Sequence, residues 1–386
     1  MKGLKLAIDA SNISSGGGLT HLVELLRAAD PNRHHFESIV MWASQSTLDS
    51  IPNRSWLLKR TAPVLEKNYL YRAIWQWLKF GKLAEAENCL VLFIPGGSFL
   101  TNFHPVVVMN QNLLPFDWTE IKRYGFSLTS VKWLMLRFSQ TYSFKHADGV
   151  IFLTKHAKNS VLGIIGQLHS ETAVISHGLN KRFFNRPRKQ KELSEYNNEN
   201  SLKLIYVSSI APYKHHNNVF KAIWLLRKKG VPVVLDLYGS PSISDSNYIL
   251  DKQLKLYDPT HDFIRYNGLT NYDEIHTKYL QADIAIFASS CETFGQILIE
   301  GIAAGLPTAC SNMSAMPEIL GINGVYFDPL NPESIKNSIL KLISSVDLRE
   351  QVAHEGYKRA KKYSWIKCAD ETFDLLNSIA YKTQRK

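Results

Sequence analysis

The feature that most constrains the fold of this chain is an alternation of short, continuously apolar segments with segments of helical periodicity. The apolar segments lie at residues 4–9, 37–43, 90–94, 106–109, 149–153 and 173–175, then at 202–208, 233–238, 263–266, 284–288, 307–310 and 325–327. Helical segments between them include residues 20–29, 217–229, 294–304 and 333–345. This pattern predicts α/β architecture, with parallel sheets that helices cover on both faces.

The apolar segments form two groups, which are separated by the polar and highly charged residues 185–201. A chain of 386 residues also exceeds the usual length of one domain. We therefore predict an N-terminal domain over residues 1–184, a linker over 185–201 and a C-terminal domain over 202–363. A surface loop within one domain is the alternative interpretation of 185–201. The last helical segment, about residues 364–386, is expected to pack back on the first domain.

Several classes of protein are disfavoured by composition. The four cysteines are scattered and form no CxxC pair, which argues against a disulfide framework or a zinc site and favours a reducing cytoplasm. No apolar stretch approaches the roughly 18 residues of a membrane span. The N-terminus reaches Asp9 too soon for the apolar core of a signal peptide. We expect a chain that neither spans a membrane nor carries a secretory leader.

The net charge of +11 indicates an anionic partner, such as nucleic acid, anionic lipid or a phosphorylated substrate. Residues 1–184 hold 20 basic and 12 acidic side chains, so they carry +8 of the excess. No zinc-finger, RNP-like or helix-turn-helix pattern accompanies this charge, and we expect no nucleic-acid partner.

The strongest motif is CETFGQILIEGIAAGLP at residues 291–307, where a strand leads into a helix near Gly295. A helix N-terminus offers unpaired N–H groups and a positive dipole end, which suit a diphosphate. Glu292 and Glu300 are at most about 12 Å apart on such a helix, roughly the span from a sugar to a ribose across a diphosphate. From the spacing alone, two ordinary helix glutamates are the better interpretation.

The whole string resembles the signature of the family four retaining glycosyltransferases, which use nucleotide sugars and have the GT-B fold. In that signature, two glutamates have seven residues between them and small residues lead to Gly-x-Pro. The residues that fit are Glu292, Phe294, Gly295, Glu300, Gly305 and Pro307.

Further matches occur in the family's order along the second half of the chain. YVSSIAPYKHH at residues 206–216 resembles the segment that brings a lysine, here Lys214, to the donor diphosphate. The family often has an arginine five residues earlier, where this sequence has Ser209. The remaining matches are Asn267 and Gly268 in the nucleobase region, residues 311–321 and residues 325–335.

The resemblance implies two facing Rossmann-like, doubly wound domains with a cleft between them, the second of which binds the donor. It implies metal-independent, retaining transfer of a hexose-type sugar from a UDP- or GDP-linked donor, without a cofactor. Glu292 would hold hydroxyls of the transferred sugar, Lys214 would stabilise the departing diphosphate and Glu300 would hold the ribose. The other expected donor residues are Phe294, Gly295, Gln296, Ser209, Asn267 and Gly268.

Three other activities remain open on the sequence. One is a glycosyltransferase that acts on a free sugar or small metabolite. Another is a nucleotide-sugar-binding protein without turnover, which the intact Glu292, Glu300 and Lys214 argue against. The third is a GT-B phosphorylase, for which no further sequence support exists.

The first half matches the family more loosely. Gly16, Gly17 and Gly18 lie between the first strand and helix, where the resembled enzymes place a loop that faces donor and acceptor. Gln111, beside Asn112, stands where many relatives carry a histidine near the reacting sugar. His177 precedes a glycine near the predicted end of this domain, and a turn residue is a better interpretation of it than a ligand contact.

Two segments of the first half, residues 67–86 and 127–147, interleave aromatic residues with lysine and arginine. Such helices can lie in an anionic headgroup plane, although core helices are the alternative for each. Together with the charge bias, they favour a protein bound peripherally to the cytoplasmic face of the plasma membrane. By analogy with bacterial polysaccharide enzymes, the expected acceptor is a lipid-linked or lipopolysaccharide O-antigen saccharide.

Overall fold

A computed structural model describes residues 4–241 and 246–384 of the chain. Two compact units emerge from its contacts. The first comprises Met1–Phe116, Ser127–Gly178 and Ser364–Lys386, and the second comprises Asp117–Phe126 and Leu179–Tyr363.

The first unit is built on a parallel seven-stranded sheet with strand order β3-β2-β1-β4-β5-β6-β7. Its strands are β1 Leu4–Asp9, β2 Phe36–Trp42, β3 Leu57–Arg60, β4 Val91–Ile94, β5 Val106–Asn110, β6 Gly149–Phe152 and β7 Glu171–Val174. The order reverses between β1 and β4, which are neighbours in the sheet although β2 and β3 lie between them in sequence.

The second unit contains a parallel six-stranded sheet with strand order β10-β9-β8-β11-β12-β13. Its strands are β8 Leu202–Val207, β9 Val233–Tyr238, β10 Ile264–Tyr266, β11 Ile284–Phe287, β12 Thr308–Ser311 and β13 Val325–Phe327. Here the order reverses between β8 and β11. Ligands of doubly wound sheets bind beyond the carboxyl ends of the strands at such a reversal.

Helices connect the strands in both units. Those outside the second unit are α1 Gly16–Ala28, α2 Gln45–Ser50, α3 Tyr69–Trp75, α4 Gly81–Ala86, α6 Leu128–His146, α7 Lys155–Ile165 and α15 Trp365–Gln384. The second unit holds α5 Trp118–Lys122, α8 His216–Lys228, α9 Ser246–Tyr257, α10 Ile275–Leu280, α11 Gln296–Ala303, α12 Met316–Leu320, α13 Pro332–Ile343 and α14 Val346–Ala360. A π-helical turn, Gln76–Phe80, joins α3 to α4.

The prediction of α/β architecture is confirmed, and each of the twelve predicted strands is present within two residues of its expected ends. Central strands such as β4 and β11 are buried along their whole length, as expected of parallel strands covered on both faces. β3 was not predicted. It is four residues long and lies at the sheet edge, where Arg60 is exposed, so it lacks the continuous apolar pattern.

The unit boundaries differ from the predicted domains in two respects. The chain enters the second unit already at Leu179, and Asp117–Phe126 also belongs to that unit. Residues 185–201, predicted as a linker, are held on the second unit by specific contacts. Asn185 donates its backbone N–H to Ala303 at 3.0 Å, and the Arg188 guanidinium contacts Asp283 at 2.8 Å. Polar composition did not reveal these contacts because their partners are remote in sequence.

The structure places α15 on the first unit, where it packs against α1 and against the turn Pro31–His34. His34 lies between two acidic residues of this helix, with Nδ1 2.7 Å from Asp374 and Nε2 3.1 Å from Asp370. Within residues 4–241 and 246–384, no helix combines the length and the apolar composition needed to cross a bilayer.

Candidate active site

Two loops meet at the strand reversal of the second unit. The loop after β8 ends in the 3₁₀ turn Pro212–Lys214, and the loop after β11 carries Glu292. Because β8 and β11 are adjacent, their carboxyl ends lie side by side, although Lys214 and Glu292 are 78 positions apart in sequence. The backbone N–H of Ser290 donates to Tyr213 O at 2.9 Å and ties the two loops together.

Lys214 and Glu292 form an ion pair at this point. The Lys214 side chain is 5% exposed and that of Glu292 is 19% exposed. The ammonium also lies 5.1 Å from the ring centroid of Tyr213 and 5.0 Å from that of Phe287. A buried lysine needs such partners to stay charged. The pair therefore holds a cation and a carboxylate side by side at the carboxyl ends of β8 and β11.

The backbone of Glu292 is fixed by Ser314, whose hydroxyl accepts from Glu292 N at 2.9 Å and donates to Glu292 O at 2.9 Å. Gly295 then caps α11 with φ of +103°, and a Cβ there would lie 2.8 Å from Met316 Cε. Glycine adopts that φ without the strain that a side chain would cause. The N-cap residue of α11 is a glycine and offers no side-chain cap, and the N–H groups and dipole of a helix N-terminus attract anions.

Glu300 lies about one turn further along α11, four residues after Gln296, and is 3% exposed. Tyr279 donates its hydroxyl to Glu300 Oε2 at 3.3 Å. Burial raises the pKa of Glu300 from 4.5 to about 8, against smaller lowering effects of the Tyr279 hydrogen bond and the Arg182 charge. Arg182 itself contacts Asp273 at 2.5 Å and lies over the Tyr272 ring at 4.5 Å. In this state the Glu300 carboxyl is largely protonated near neutral pH.

The other expected donor residues occupy varied positions. Phe294 is buried edge-on against Tyr363, with ring centroids 5.3 Å apart, so it packs the loop. Gln296 is the first residue of α11, and Ser209 lies in the loop after β8. Beyond β10, Asn267 donates its amide to Arg265 O at 3.2 Å, and Gly268 has φ of +68°. The roles assigned to these residues stay predictions.

Three residues near the pair were missed from the sequence, namely Glu120, Ser290 and Ser314. Ser314 lies in the segment that resembled the family, but nothing in its own context marked it. Glu120 and Ser290 lie 170 positions apart and hydrogen-bond at 2.8 Å, a proximity that no sequence signal predicts. His215 joins them through Nε2, which lies 2.7 Å from Ser290 Oγ.

In the first unit, the structure corrects the position of the glycines. α1 begins at Gly16, whose φ is +66°, and Gly17 and Gly18 lie in its first turn and not in a loop, because the buried Leu22, Leu25 and Leu26 extend the helix over this segment. Gln111 approaches this turn: its Oε1 would lie 3.8 Å from a Cβ on Gly18.

The other two first-unit residues, Asn112 and His177, are in contact with different residues. Asn112 Oδ1 accepts from Leu114 N at 3.0 Å. His177 is buried in a cluster of three rings, with its ring centroid 4.5 Å from that of His21 and 5.6 Å from that of Trp365.

Comparison with known proteins agrees with this arrangement. Residues 187–359 match the family described as "Glycosyl transferases group 1". An uncharacterized glycosyltransferase of Methanocaldococcus jannaschii is 25% identical over 60% of this chain and 60% of that protein. The O-antigen chain mannosyltransferase B of Escherichia coli is 25% identical over 44% of each. The matches thus span less than two thirds of the length of these curated relatives.

Solved structures are similar over nearly the whole chain. Anabaena HepE in complex with UDP-glucose superposes with a TM-score of 0.72 and 16% identity, covering 97% of this chain and all of that one. Sucrose-phosphate synthase of Thermosynechococcus elongatus gives 0.71 at 15% identity and covers 99% of each chain.

The fold of the chain is therefore GT-B, with two Rossmann-like domains, as predicted. The segment that matches the group 1 glycosyltransferase family, residues 187–359, contains Lys214, Glu292 and Glu300.

Proposed function

We propose that the protein is a retaining glycosyltransferase that moves a hexose-type sugar from a UDP- or GDP-linked donor to a saccharide acceptor. The observation that carries this proposal is the Lys214–Glu292 ion pair beside the N-terminus of α11, within a group 1 glycosyltransferase domain. The complex of HepE with UDP-glucose and the mannosyltransferase relative support a nucleotide-sugar donor.

The chemistry follows from the charges at the site. Cleavage of the sugar–phosphate bond develops negative charge on the departing diphosphate. The Lys214 ammonium and the first N–H groups of α11 are fixed dipolar and charged groups that stabilise this charge without reorganisation. Glu292 holds hydroxyls of the transferred sugar as an acceptor. The acceptor hydroxyl attacks on the same face that the diphosphate leaves, and the diphosphate takes up its proton.

The ion pair also has a consequence for donor binding. The Lys214 ammonium has three N–H donors and, among the described residues, one hydrogen-bond acceptor, Glu292. A donor phosphate next to Lys214 shares or replaces that contact. The Glu292 carboxylate is then released toward the sugar hydroxyls. We propose that the pair holds both side chains in place until the donor binds.

Metal independence and the absence of a cofactor belong to the same proposal. Lys214 and the helix N-terminus together supply the positive charge that a divalent cation provides in metal-dependent glycosyltransferases. Turnover should therefore be unaffected by EDTA. Loss of turnover in EDTA that Mg²⁺ or Mn²⁺ restores would contradict this part of the proposal.

For the acceptor, we propose a lipid-linked or lipopolysaccharide-type saccharide, with the protein bound peripherally to the cytoplasmic face of an anionic membrane. Apolar side chains of α6 recur on its exposed face at helical spacing: Leu128, Val131, Met135, Phe138 and Tyr142. Lys132 and Lys145 are exposed beside this stripe. Exposed apolar residues flanked by lysine fit an anionic bilayer surface.

A second stripe of exposed apolar residues in the first unit also supports membrane binding. It runs along α3 and the following π-helical turn through Leu70, Ile74, Trp77 and Leu78. The helical segments that carry the two stripes both contact the loop after β4, through buried polar side chains. Leu100 N donates to Gln76 Oε1 at 2.9 Å on one side, and Phe99 N donates to Ser143 Oγ at 2.9 Å on the other.

The proposed donor is tested by a thermal-shift panel of UDP- and GDP-linked sugars, since a ligand of the native state raises the unfolding temperature. The selected donor is then used to compare turnover of Lys214→Ala with that of Lys336→Ala. Lys336 is a matched control because it is 7% exposed and ion-paired with Glu333 in the same unit. We expect only Lys214→Ala to lose turnover. Binding of a nucleotide sugar without turnover on any acceptor would favour the binding-protein alternative.

A further inference from the structure

Glu120 belongs to a segment, Asp117–Phe126, that lies between two parts of the first unit in sequence but clusters with the second unit. Its side chain is 4% exposed. The carboxylate accepts one hydrogen bond from Ser290 Oγ at 2.8 Å and another from Arg123 Nε at 2.7 Å. Ser290 is two residues from Glu292. A buried carboxylate therefore hydrogen-bonds the loop that carries Glu292, the candidate sugar-binding residue.

The proton positions along this contact follow from the donor inventory. A carboxylate only accepts, so the single hydroxyl hydrogen of Ser290 points to Glu120, which lies nearer than Tyr213 O at 3.3 Å. The Ser290 oxygen then accepts from His215, whose Nε2 is 2.7 Å away. Burial lowers the pKa of His215 to about 4, so the ring is neutral near pH 7 and carries its one hydrogen on Nε2.

Ser290 also joins the two loops of the candidate site. Its backbone N–H donates to Tyr213 O, and its side chain meets His215, the residue directly after Lys214. His215 has φ of +50°, a conformation that a non-glycine residue keeps only when its surroundings hold it. Ser290 therefore contacts both residues that flank Lys214, and it lies two residues before Glu292. Through Ser290, Glu120 is linked to both loops of the ion pair.

We propose that Glu120 is a positioning residue for donor turnover: through Ser290 it fixes His215 as the Nε2–H tautomer and holds the loops of Lys214 and Glu292 together. This inference rests on the proposed function of that site. Glu120 touches neither Lys214 nor Glu292 in the hydrogen bonds of the described residues, and its effect passes through Ser290.

The first test needs no substrate. In protein labelled with ¹³C and ¹⁵N at histidine, NMR shifts of the His215 ring report its tautomer, and the His215→Gln variant assigns the signals. We expect the Nε2–H tautomer in the wild type and a changed tautomer population in both Glu120→Ala and Ser290→Ala. An unchanged His215 spectrum in these variants would overturn the proposal, whatever the donor proves to be.

The second test measures kcat and KM with the donor that the thermal-shift panel selects. Glu120→Ala and Ser290→Ala should each lower kcat by about 10- to 100-fold, as expected for loss of a hydrogen bond to a charged group, with a smaller change in donor KM. The double variant should be no slower than the slower single variant, because both substitutions break one relay. If the double variant lost kcat by the product of the two single losses, the residues would act independently and the proposal would be overturned.

Glu24→Ala is the matched control for a merely structural effect. Glu24 is 4% exposed and pairs with Arg27 three positions later at 2.6 Å, as Glu120 pairs with Arg123, but it lies on α1 of the first unit. We expect this variant to lose stability and to keep kcat within a factor of two or so of wild type. An equal loss of kcat in Glu24→Ala and Glu120→Ala would refute the positioning role. Failure of every nucleotide sugar to bind would instead refute the proposed function, and the NMR result would still decide the tautomer.

Discussion

Replacing Glu300 by glutamine separates the stability of the second unit from its proposed function. Burial raises the pKa of Glu300 from 4.5 to about 8. Between these values the native carboxyl keeps a proton that the unfolded chain releases, so stability falls as pH rises through this range. Each pH unit corresponds to about 1.4 kcal/mol. Between pH 5.5 and 7.5, Glu300 therefore lowers the free energy of unfolding by about 3 kcal/mol.

Glutamine has nearly the same shape and does not titrate. Its amide oxygen still accepts from the Tyr279 hydroxyl, so the packing of α11 against Tyr279 is kept. Glu300→Gln should therefore gain about 3 kcal/mol more over wild type at pH 7.5 than at pH 5.5. Urea unfolding followed by circular dichroism at the two pH values measures this difference. Glu274→Gln, an exposed glutamate of the same unit, is the control.

The same variant tests the ribose role. If Glu300 holds ribose hydroxyls, the glutamine variant should bind UDP or GDP about 2- to 10-fold more weakly at pH 7, as expected for hydrogen bonds of a neutral carboxyl, although its free state is more stable. Isothermal titration with both nucleotides measures the affinity. The same stability difference at both pH values would refute the argument from burial. Unchanged affinity for the nucleotide that wild type binds would refute the ribose role.

Three further predictions concern the site, the first unit and its surface. Turnover should persist in EDTA, measured as nucleoside diphosphate release with and without added Mg²⁺, because Lys214 and the α11 N-terminus supply the positive charge. His21 is buried, and burial together with the nearby His177 lowers its pKa well below 6.5, so stability should fall as pH drops below about 6.5. His21→Phe keeps the stacking on His177 and removes this titration. Relative to wild type, its free energy of unfolding in urea should rise by about 1 kcal/mol when the pH falls from 7.5 to 5.5, and the absence of this rise would refute the prediction. Vesicles of anionic lipid should co-sediment the protein, and Trp77→Ser with Phe138→Ser should weaken this without altering UDP or GDP binding; equal sedimentation with neutral vesicles would contradict the role of the lysines.

Local patterns in the sequence determined the strands, the helices and the parallel arrangement of both sheets. A continuous apolar run or a helical period is a property of consecutive residues, so β8, β11 and α11 could be read before any contact was known. The motif at residues 291–307 placed Glu292 and Glu300 on either side of a helix start in the same way. β3 was not predicted because four residues at a sheet edge are too short to form a continuous apolar segment.

Tertiary structure alone decided what those residues meet. Lys214 and Glu292 pair because β8 and β11 became neighbours, although 78 positions separate the two side chains. The pKa of Glu300 depends on how completely α11 is covered, and Glu120 reaches Ser290 because its segment clusters with the second unit. Strand order, burial and proton affinity depend on partners that are remote along the chain, and local periodicity carries no information about which remote partner a residue meets.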